Sequence, residues 1–386
     1  MATDMSIVDL RPRRDKSCRI AVFRALQLGD MLCAVPALRA IRRAFPEAEI
    51  TLIGLPWAGA FVQRFAHLVD RFAEFPGFPG LPERDPDIAA IPDFLRAAQA
   101  AHYHLAIQLH GSGEISNAIV ATLGARITAG FHPPQGPCLD RLRFLPWPAA
   151  GREIHRCLAL TSFLGFESAG DRLEFPIDDA ERSAARSLLA RHHLLPRRFV
   201  CVHPGARLHS RRWPPEYFAA VARDAIALGY RLALTGSAEE MLLTRRIARD
   251  LPASMVADLA GQTTLGVLGA LLTQARLLIC NDTGVSHVAA ALAVPSVVVC
   301  CGADPQRFAP LDTALHEVLH HPVACRPCVH VHCPIGHPCA HKLDPSRVGS
   351  RVRARLGSGR HGAPRGGAHR LHPLPSPAVG RTPPHT

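Results

Sequence analysis

The sequence has no uninterrupted apolar run near the roughly 20 residues that a membrane-spanning helix needs, although 48% of its 386 residues are hydrophobic. Its first stretch, MATDMSIVDLRPRRDKSC, is charged and lacks the apolar core of a secretory signal. The chain is therefore expected to stay in the cytoplasm. The aromatic motifs with which RNA-binding sheets stack bases are missing too. Acidic residues are absent from Ser346 onwards, a segment that holds eight arginines and so eight of the twelve net positive charges. The remaining +4 describes a mildly basic body that suits an anionic substrate as well as it suits DNA.

What is present begins with length: 386 residues exceed one ordinary domain, with apolar content for two cores. Of the twelve cysteines, Cys33, Cys201, Cys280, Cys300 and Cys301 lie in apolar patterns where a thiol packs as a small hydrophobe. Reduced thiols in a cytosolic protein fit that placement.

The chain reads as two series of strand, turn and helix. RIAVFR at Arg19 to Arg24 is a strand, Gly29-Asp30 a turn, and Met31, Val35, Leu38 and Ile41 mark one face of the helix that follows. EITLIGLP, HLAIQLHG and ARITAGF are further strands, with helices over 57–65, 93–101 and 115–123. The Pro/Gly-rich stretch 72–92 is expected to be a surface loop bordering a site, and 133–148 another loop. His110 to Gly113 reads as a plain turn. A helix over 153–164, a short strand at 175–177 and a helix over 178–192 lead to the break Pro196-Arg197-Arg198.

The second series opens with FVCVHPGA, then a loop with Gly205, Arg211 and Arg212, and a helix whose first turn holds Pro214-Pro215, as proline prefers. The two arginines are either a solvated basic turn or a pair for a diphosphate. Strand 231–235 leads to Gly236-Ser237 and to Glu239 and Glu240, which serve either the helix dipole or a ribose. LAGQTT precedes a helix over 265–273. Next comes LICNDTGVSHVAAALAVPSVVVCC, a strand at 277–279, a turn at Asp282-Thr283-Gly284, a helix over 286–292 and a strand at 296–300. Asp282 and Asp30 each either cap a helix or lie at the carboxyl edge where open parallel sheets keep their ligands. Cys325, Cys328, Cys333 and Cys339, interleaved with His330, His332, His337 and His341, have zinc-type spacing only in the first pair, so a structural metal competes with free thiols or a redox-formed bridge. Residues 343–356 read as a last basic helix.

Five of these segments in this order, RALQLGDMLCAVPALRAIRRAFP, HPGARLHSRRWPPEYFAAVA, LTGSAEE, LAGQTTLGVLGALL and NDTGVSHVAAALAVPSVVVCCGADPQRFAP, make the chain resemble glycosyltransferase family 9, the lipopolysaccharide heptosyltransferase family, over about residues 18–356. The Cys325 to Cys339 segment also looks like that family's C-terminal region. The resemblance implies an α/β protein of GT-B architecture, with two Rossmann-like domains facing across a cleft: an N-terminal extension over 1–17, an acceptor-side domain over 18–180, a donor-binding domain over 181–356 and a disordered tail over 357–386. It implies an inverting transfer of a sugar, heptose among the candidates, from a nucleotide-sugar donor to a saccharide or glycolipid acceptor. No metal and no further cofactor are implied. Peripheral contact with the inner membrane surface is.

Position by position, the resemblance makes Asp30 the general base. It makes Asp282, Thr283, Gly284 and His287 the donor motif, with the backbone N–H groups of Thr283 and Gly284 on the diphosphate. Gly205, Arg211 and Arg212 fall on the donor side, and Arg211 stands where relatives carry lysine. Glu240 matches the ribose acid ahead of Glu239, and Thr263 lies near the base pocket. The competing class is a nucleic-acid-binding protein with a Cys/His metal knuckle and a basic tail. Against it stands the concentration of charge after Ser346. Removing residues 357–386 is expected to leave a body without tight, salt-sensitive RNA binding; filter binding at low and physiological salt measures this, and retained tight binding would reinstate that class.

Overall fold

A computed structural model describes Leu10 and residues 18–357. The tail beyond Gly357 and the N-terminal extension apart from Leu10 lie outside the described residues. The first half runs β1 (Arg19–Phe23), α1 (Leu28–Ala44), β2 (Glu49–Gly54), α2 (Ala58–Arg64), β3 (Arg71–Glu74), α3 (Ile91–Ala100), β4 (Leu105–Gln108), α4 (Ser116–Thr122), β5 (Ile127–His132), β6 (Phe144–Pro146) and α5 (Glu153–Phe163). The second runs α6 (Asp179–Arg191), β7 (Phe199–His203), α7 (Pro215–Ala227), β8 (Arg231–Leu234), α8 (Met241–Ala248), β9 (Val256–Asp258), α9 (Leu265–Gln274), β10 (Leu277–Asn281), α10 (Gly284–Ala291), β11 (Ser296–Val299), α11 (Pro305–Phe308), β12 (His316–Leu319), α12 (Pro338–His341) and α13 (Pro345–Gly357).

Each half builds one six-stranded sheet, ordered β3-β2-β1-β4-β5-β6 and β12-β11-β10-β7-β8-β9, with every strand pair parallel. The two orders are the same topology. Helices cover both faces, so the inner strands are buried throughout: all five residues of β7 and of β10 are buried, and in β1 only Arg19 is exposed. Local chemistry fixes the helices that matter for the layout. In α1, Met31, Val35, Leu38 and Ile41 are buried as their spacing predicts. α6 starts on a capping box in which Asp178 accepts from the Glu181 N–H at 2.7 Å and donates its own N–H to the Glu181 carboxylate at 3.1 Å. α5 packs on α1 and α6 on α9, so the chain changes sheets between α5 and α6.

Several elements differ from expectation, among them β9 and β12, short strands that no apolar run marked. Residues 72–74 belong to β3 rather than to the Pro/Gly loop, because the chain pairs with β2 from Arg71 to Glu74 before the first proline at Pro76. β6 lies inside the second proline-rich stretch, at the sheet edge, where Pro146 needs no partner for a missing N–H. Residues 175–177 form no strand: Pro176 interrupts the donors, its carbonyl accepts from Arg64 at 2.6 Å, and Phe175 lies under the same guanidinium at 4.5 Å. α10 begins at Gly284, two residues earlier than its apolar pattern indicates.

Trp213 anchors the far face of the second sheet. It is fully buried, edge-on to Phe218 at 5.1 Å, and its indole N–H donates to the Leu343 carbonyl at 3.1 Å, which ties the segment before α13 to α7. Trp213→Phe should lower unfolding stability by about 2–3 kcal/mol, through an orphaned buried carbonyl and the vacated volume; urea denaturation followed by far-UV circular dichroism checks the loss.

Candidate active site

In both sheets the strand order reverses beside the first strand of the half, between β1 and β4 and between β7 and β10. Ligands of open parallel sheets sit at such reversals, beyond the carboxyl ends of the strands. Here the two reversals face each other, because the N-terminus of α1, after β1, meets the N-terminus of α10, after β10. Two glycines allow the approach. A Cβ on Gly29 would lie 2.8 Å from the His287 ring, and one on Gly284 would lie 2.9 Å from the Leu28 side chain.

The N-cap of α1 is Gln27 and that of α10 is Thr283, whose hydroxyl makes no capping bond. Neither Asp30 nor Asp282 is therefore a cap. Gly29-Asp30, expected as the turn before the helix, is already in its first turn. Each helix end carries about half a positive charge, and Asp30 and Asp282 place carboxylates at both.

Asp30 is partly buried at the cleft floor. Burial raises its pKa; the Arg24 guanidinium opposes this most, with Arg307 and Arg211 on the same side and Glu153 adding to the rise. Arg24 is itself buried and donates to the Asp30 carbonyl through Nε at 3.1 Å and Nη2 at 2.8 Å, and to the Leu109 carbonyl through Nη1. Asp282 is raised by burial and opposed by His287 and Arg211. His287 is held down by burial, which keeps its imidazole neutral at pH 7, with Nδ1 3.7 Å from the Cys33 sulfur across the cleft. At the end of β4, His110 accepts from the Ala25 N–H at 3.2 Å, and Gly111 and Gly113 take positive φ in the expected turn.

The loop that carries Arg211 is fastened from two sides. Asn281, fully buried at the end of β10, accepts from the Trp213 N–H at 3.0 Å and donates to the Pro204 carbonyl at 2.6 Å. Ser210 donates its N–H to the Val331 carbonyl at 2.9 Å and its hydroxyl to the His330 carbonyl at 2.6 Å, and its own carbonyl is 2.8 Å from His337 Nε2. The Cys/His segment is thus a strap over residues 209–211. Its four cysteines, like the other eight of the chain, are free thiols, and among the described residues no group of three or more His, Cys, Asp or Glu is arranged to hold a metal ion. The Nε of Arg211 has no hydrogen-bond partner, and its charge acts on both Asp30 and Asp282.

Arg211 and Arg212 do not act as a pair. Arg212 donates to the Ala206 carbonyl at 2.7 Å and lies 3.8 Å from the Glu240 carboxylate. Glu240 accepts from the Ser237 N–H at 3.0 Å and covers Gly205, where any Cβ would run into its carboxylate. Thr263 lies in the loop before α9; that loop is pinned to the same turn by the Gly261 N–H on the Gly236 carbonyl at 2.9 Å. Asp30, Arg211, Asp282, Thr283, Gly284 and His287 therefore gather where the helix ends meet, and Gly205, Arg212, Glu240 and Thr263 form a neighbouring group along the second sheet's edge. Glu239 is exposed outside it.

Sequence reasoning missed Arg24, Glu153, Arg307 and Asn281. Asn281 stands inside the NDTG motif and Arg24 ends a buried strand, so both had a local signal. Glu153 and Arg307 are 154 residues apart and had none.

A family model described as glycosyltransferase family 9 (heptosyltransferase) matches residues 93–338. Lipopolysaccharide heptosyltransferase 3 of Escherichia coli is 24% identical over 278 residues, 70% of this chain and 79% of that protein. Among solved structures, the family 9 glycosyl transferase from Veillonella parvula DSM 2008 superimposes with a TM-score of 0.71 at 22% identity, covering 90% of this chain and 100% of that one. The E. coli ADP-heptose lps heptosyltransferase II does so with a TM-score of 0.64 at 21% identity, covering 88% and 99%. The two facing parallel sheets are those of the GT-B fold.

Asn281→Ala should orphan one buried N–H and one buried carbonyl, at about 1–3 kcal/mol each, and loosen the Arg211 loop. The expected results are a stability loss of about 2–4 kcal/mol in chemical denaturation and weaker binding of inorganic pyrophosphate by calorimetry.

Proposed function

The chain belongs to glycosyltransferase family 9, and from that premise we propose that it moves a heptose-type sugar from a nucleotide-sugar donor to a lipopolysaccharide-core or related envelope saccharide, with inversion and without a metal ion. The observation that carries this reading is the meeting of α1 and α10, which sets the Asp30 carboxylate opposite Arg211 and the Thr283-Gly284 backbone. In this reading the donor's diphosphate lies on the N-terminus of α10 beside Arg211, its ribose on Glu240 and its base towards Thr263. The unpartnered Arg211 Nε and the first N–H groups of α10 meet the negative charge that grows on the departing diphosphate. Arginine here presents a planar fork where lysine would present a point charge.

Asp30 takes the proton of the acceptor hydroxyl as that oxygen attacks the anomeric carbon. Its raised pKa matches a base working near neutral pH better than an exposed carboxylate does. Base and leaving group sit on opposite sides of the reacting carbon, which makes a single displacement with inversion the simplest path. His287 fills the space between the two helix ends and stays neutral, so it adds no cation beside Asp30.

The acceptor belongs to the first half, and transfer to an envelope glycolipid takes place at a membrane surface. No helix among the described residues is long and apolar enough to cross a membrane. The Cys325 to Cys339 segment, which the nucleic-acid class takes as a knuckle, is the strap on Ser210.

Asp30→Asn should lower kcat by about 10²–10⁴-fold and leave donor affinity nearly unchanged, as read by transfer kinetics and calorimetry; retained turnover would remove the base assignment. A screen of nucleotide sugars by thermal stabilisation, with ADP-, UDP- and GDP-sugars in parallel, should single out an ADP-heptose; preference for another nucleotide would redirect the donor.

A further inference from the structure

The buried Arg24 and Glu153 and the partly exposed Arg307 form a line of charge that the reaction as described leaves without a role. Arg24 and Glu153 are 2% and 1% exposed, and Arg24 Nη2 donates to Glu153 Oε1 at 3.0 Å. The other carboxylate oxygen, Oε2, accepts from Arg307 Nε at 2.8 Å. Glu153 opens α5 in the acceptor half, whereas Arg307 is on α11 in the donor half. Next to them Arg152 donates to the Pro305 and Ala309 carbonyls, both at 3.0 Å, so the first turn of α5 holds both ends of α11. At the opposite end of the line, Arg24 rests on the Asp30 carbonyl.

A buried carboxylate with two guanidiniums is a stable arrangement only while both are present. Burial favours its neutral form, but Arg24 and Arg307 outweigh that and hold the pKa of Glu153 at about 2, so it is an anion at any working pH. Parting the halves removes Arg307 and leaves Glu153 with Arg24 and the more distant Arg156, 3.8 Å away.

We propose that Glu153 is a positioning residue that couples cleft closure to the base: it holds Arg24 against Asp30 and completes its own ion set only when the donor half brings in Arg307. This rests on the reading of Asp30 as the base. The charged and titratable groups acting around Asp30 and its first turn are Arg24, Glu153, Cys33 and Cys157 from the acceptor half and Arg307, Arg211, Asp282 and His287 from the donor half. Closure therefore brings two cations beside the base, Arg307 and Arg211, which oppose the rise that burial imposes on its pKa.

The test uses the full chain with Arg307→Gln, Arg307→Lys and Glu153→Gln. Loss of a cation near Asp30 should move the acid limb of the kcat/KM profile to higher pH in Arg307→Gln, with kcat reduced by about tenfold and donor KM changed much less. Arg307→Lys should restore part of both. In Glu153→Gln both Arg24 and Arg307 lose their partner, so the coupling should move the same limb to higher pH as well, whereas removal of the Glu153 charge alone would move it to lower pH. Small-angle X-ray scattering of the free enzyme should show a larger radius of gyration for Arg307→Gln, a readout independent of Asp30. If Glu153→Gln does not fold, the Arg307 variants carry both measurements. An unmoved acid limb, shifts of opposite sign in Arg307→Gln and Glu153→Gln, or an unchanged radius of gyration would overturn the coupling. Retained turnover in Asp30→Asn would instead overturn the base, and the scattering result would still decide whether Arg307 closes the cleft.

Discussion

Two helix N-termini pointed at each other repel, and the rest of this structure depends on how that repulsion is met. The ends of α1 and α10 approach until Gly29 touches the ring of His287 and Gly284 touches Leu28. Their partial positive charges favour anions between them. Asp30 and Asp282 supply two, and the unpartnered Arg211 leaves room for a further, mobile one. Such a balance of charge suits an anion between the helix ends, with a carboxylate beside it.

The second half uses its irregular segments to keep this geometry stiff. Asn281 pins the loop before α7 to the end of β10, and the strap from Cys325 to His341 pins the same loop from outside through Ser210. The strap's many cysteines and histidines suggest metal chemistry in one dimension. In three dimensions its backbone carbonyls and the His337 ring make the contacts to Ser210, while Cys325, Cys328 and Cys333 act electrostatically on the buried Cys339. Cation chemistry falls almost wholly to arginine, since Lys16 and Lys342 are the lysines of the entire chain. Forked guanidiniums can hold two partners at once, as Arg24 and Arg152 do here.

Buried ion pairs are costly to assemble and costlier to break. Glu153 places such a set across the division between the halves, where any opening of the cleft must disrupt it. The closed form thereby gains a definite register, set by side chains rather than by apolar packing alone.

Much of this was legible in the amino-acid order. Apolar runs bounded by glycine and proline marked eight of the twelve strands, and the turns after β1, β7 and β10 held Asp30, Arg211 and Asp282 at the carboxyl edge of the parallel sheets. Short edge elements such as β6, β9 and β12 were not legible: three or four residues that pair on one side leave little periodicity. Whether an aspartate caps a helix is a local matter of backbone angles, yet only the structure showed that Gln27 and Thr283 take those positions. The sequence by itself determined most of the longer strands, the turns at their carboxyl ends and the residue types that stand there, since those follow from contacts a few residues apart. Tertiary structure alone decided that Arg212 turns to Glu240 while Arg211 faces the cleft, and that Glu153 and Arg307 meet. Those pairings join residues brought together only by the closing of one sheet's edge upon the other, and no local pattern encodes that distance.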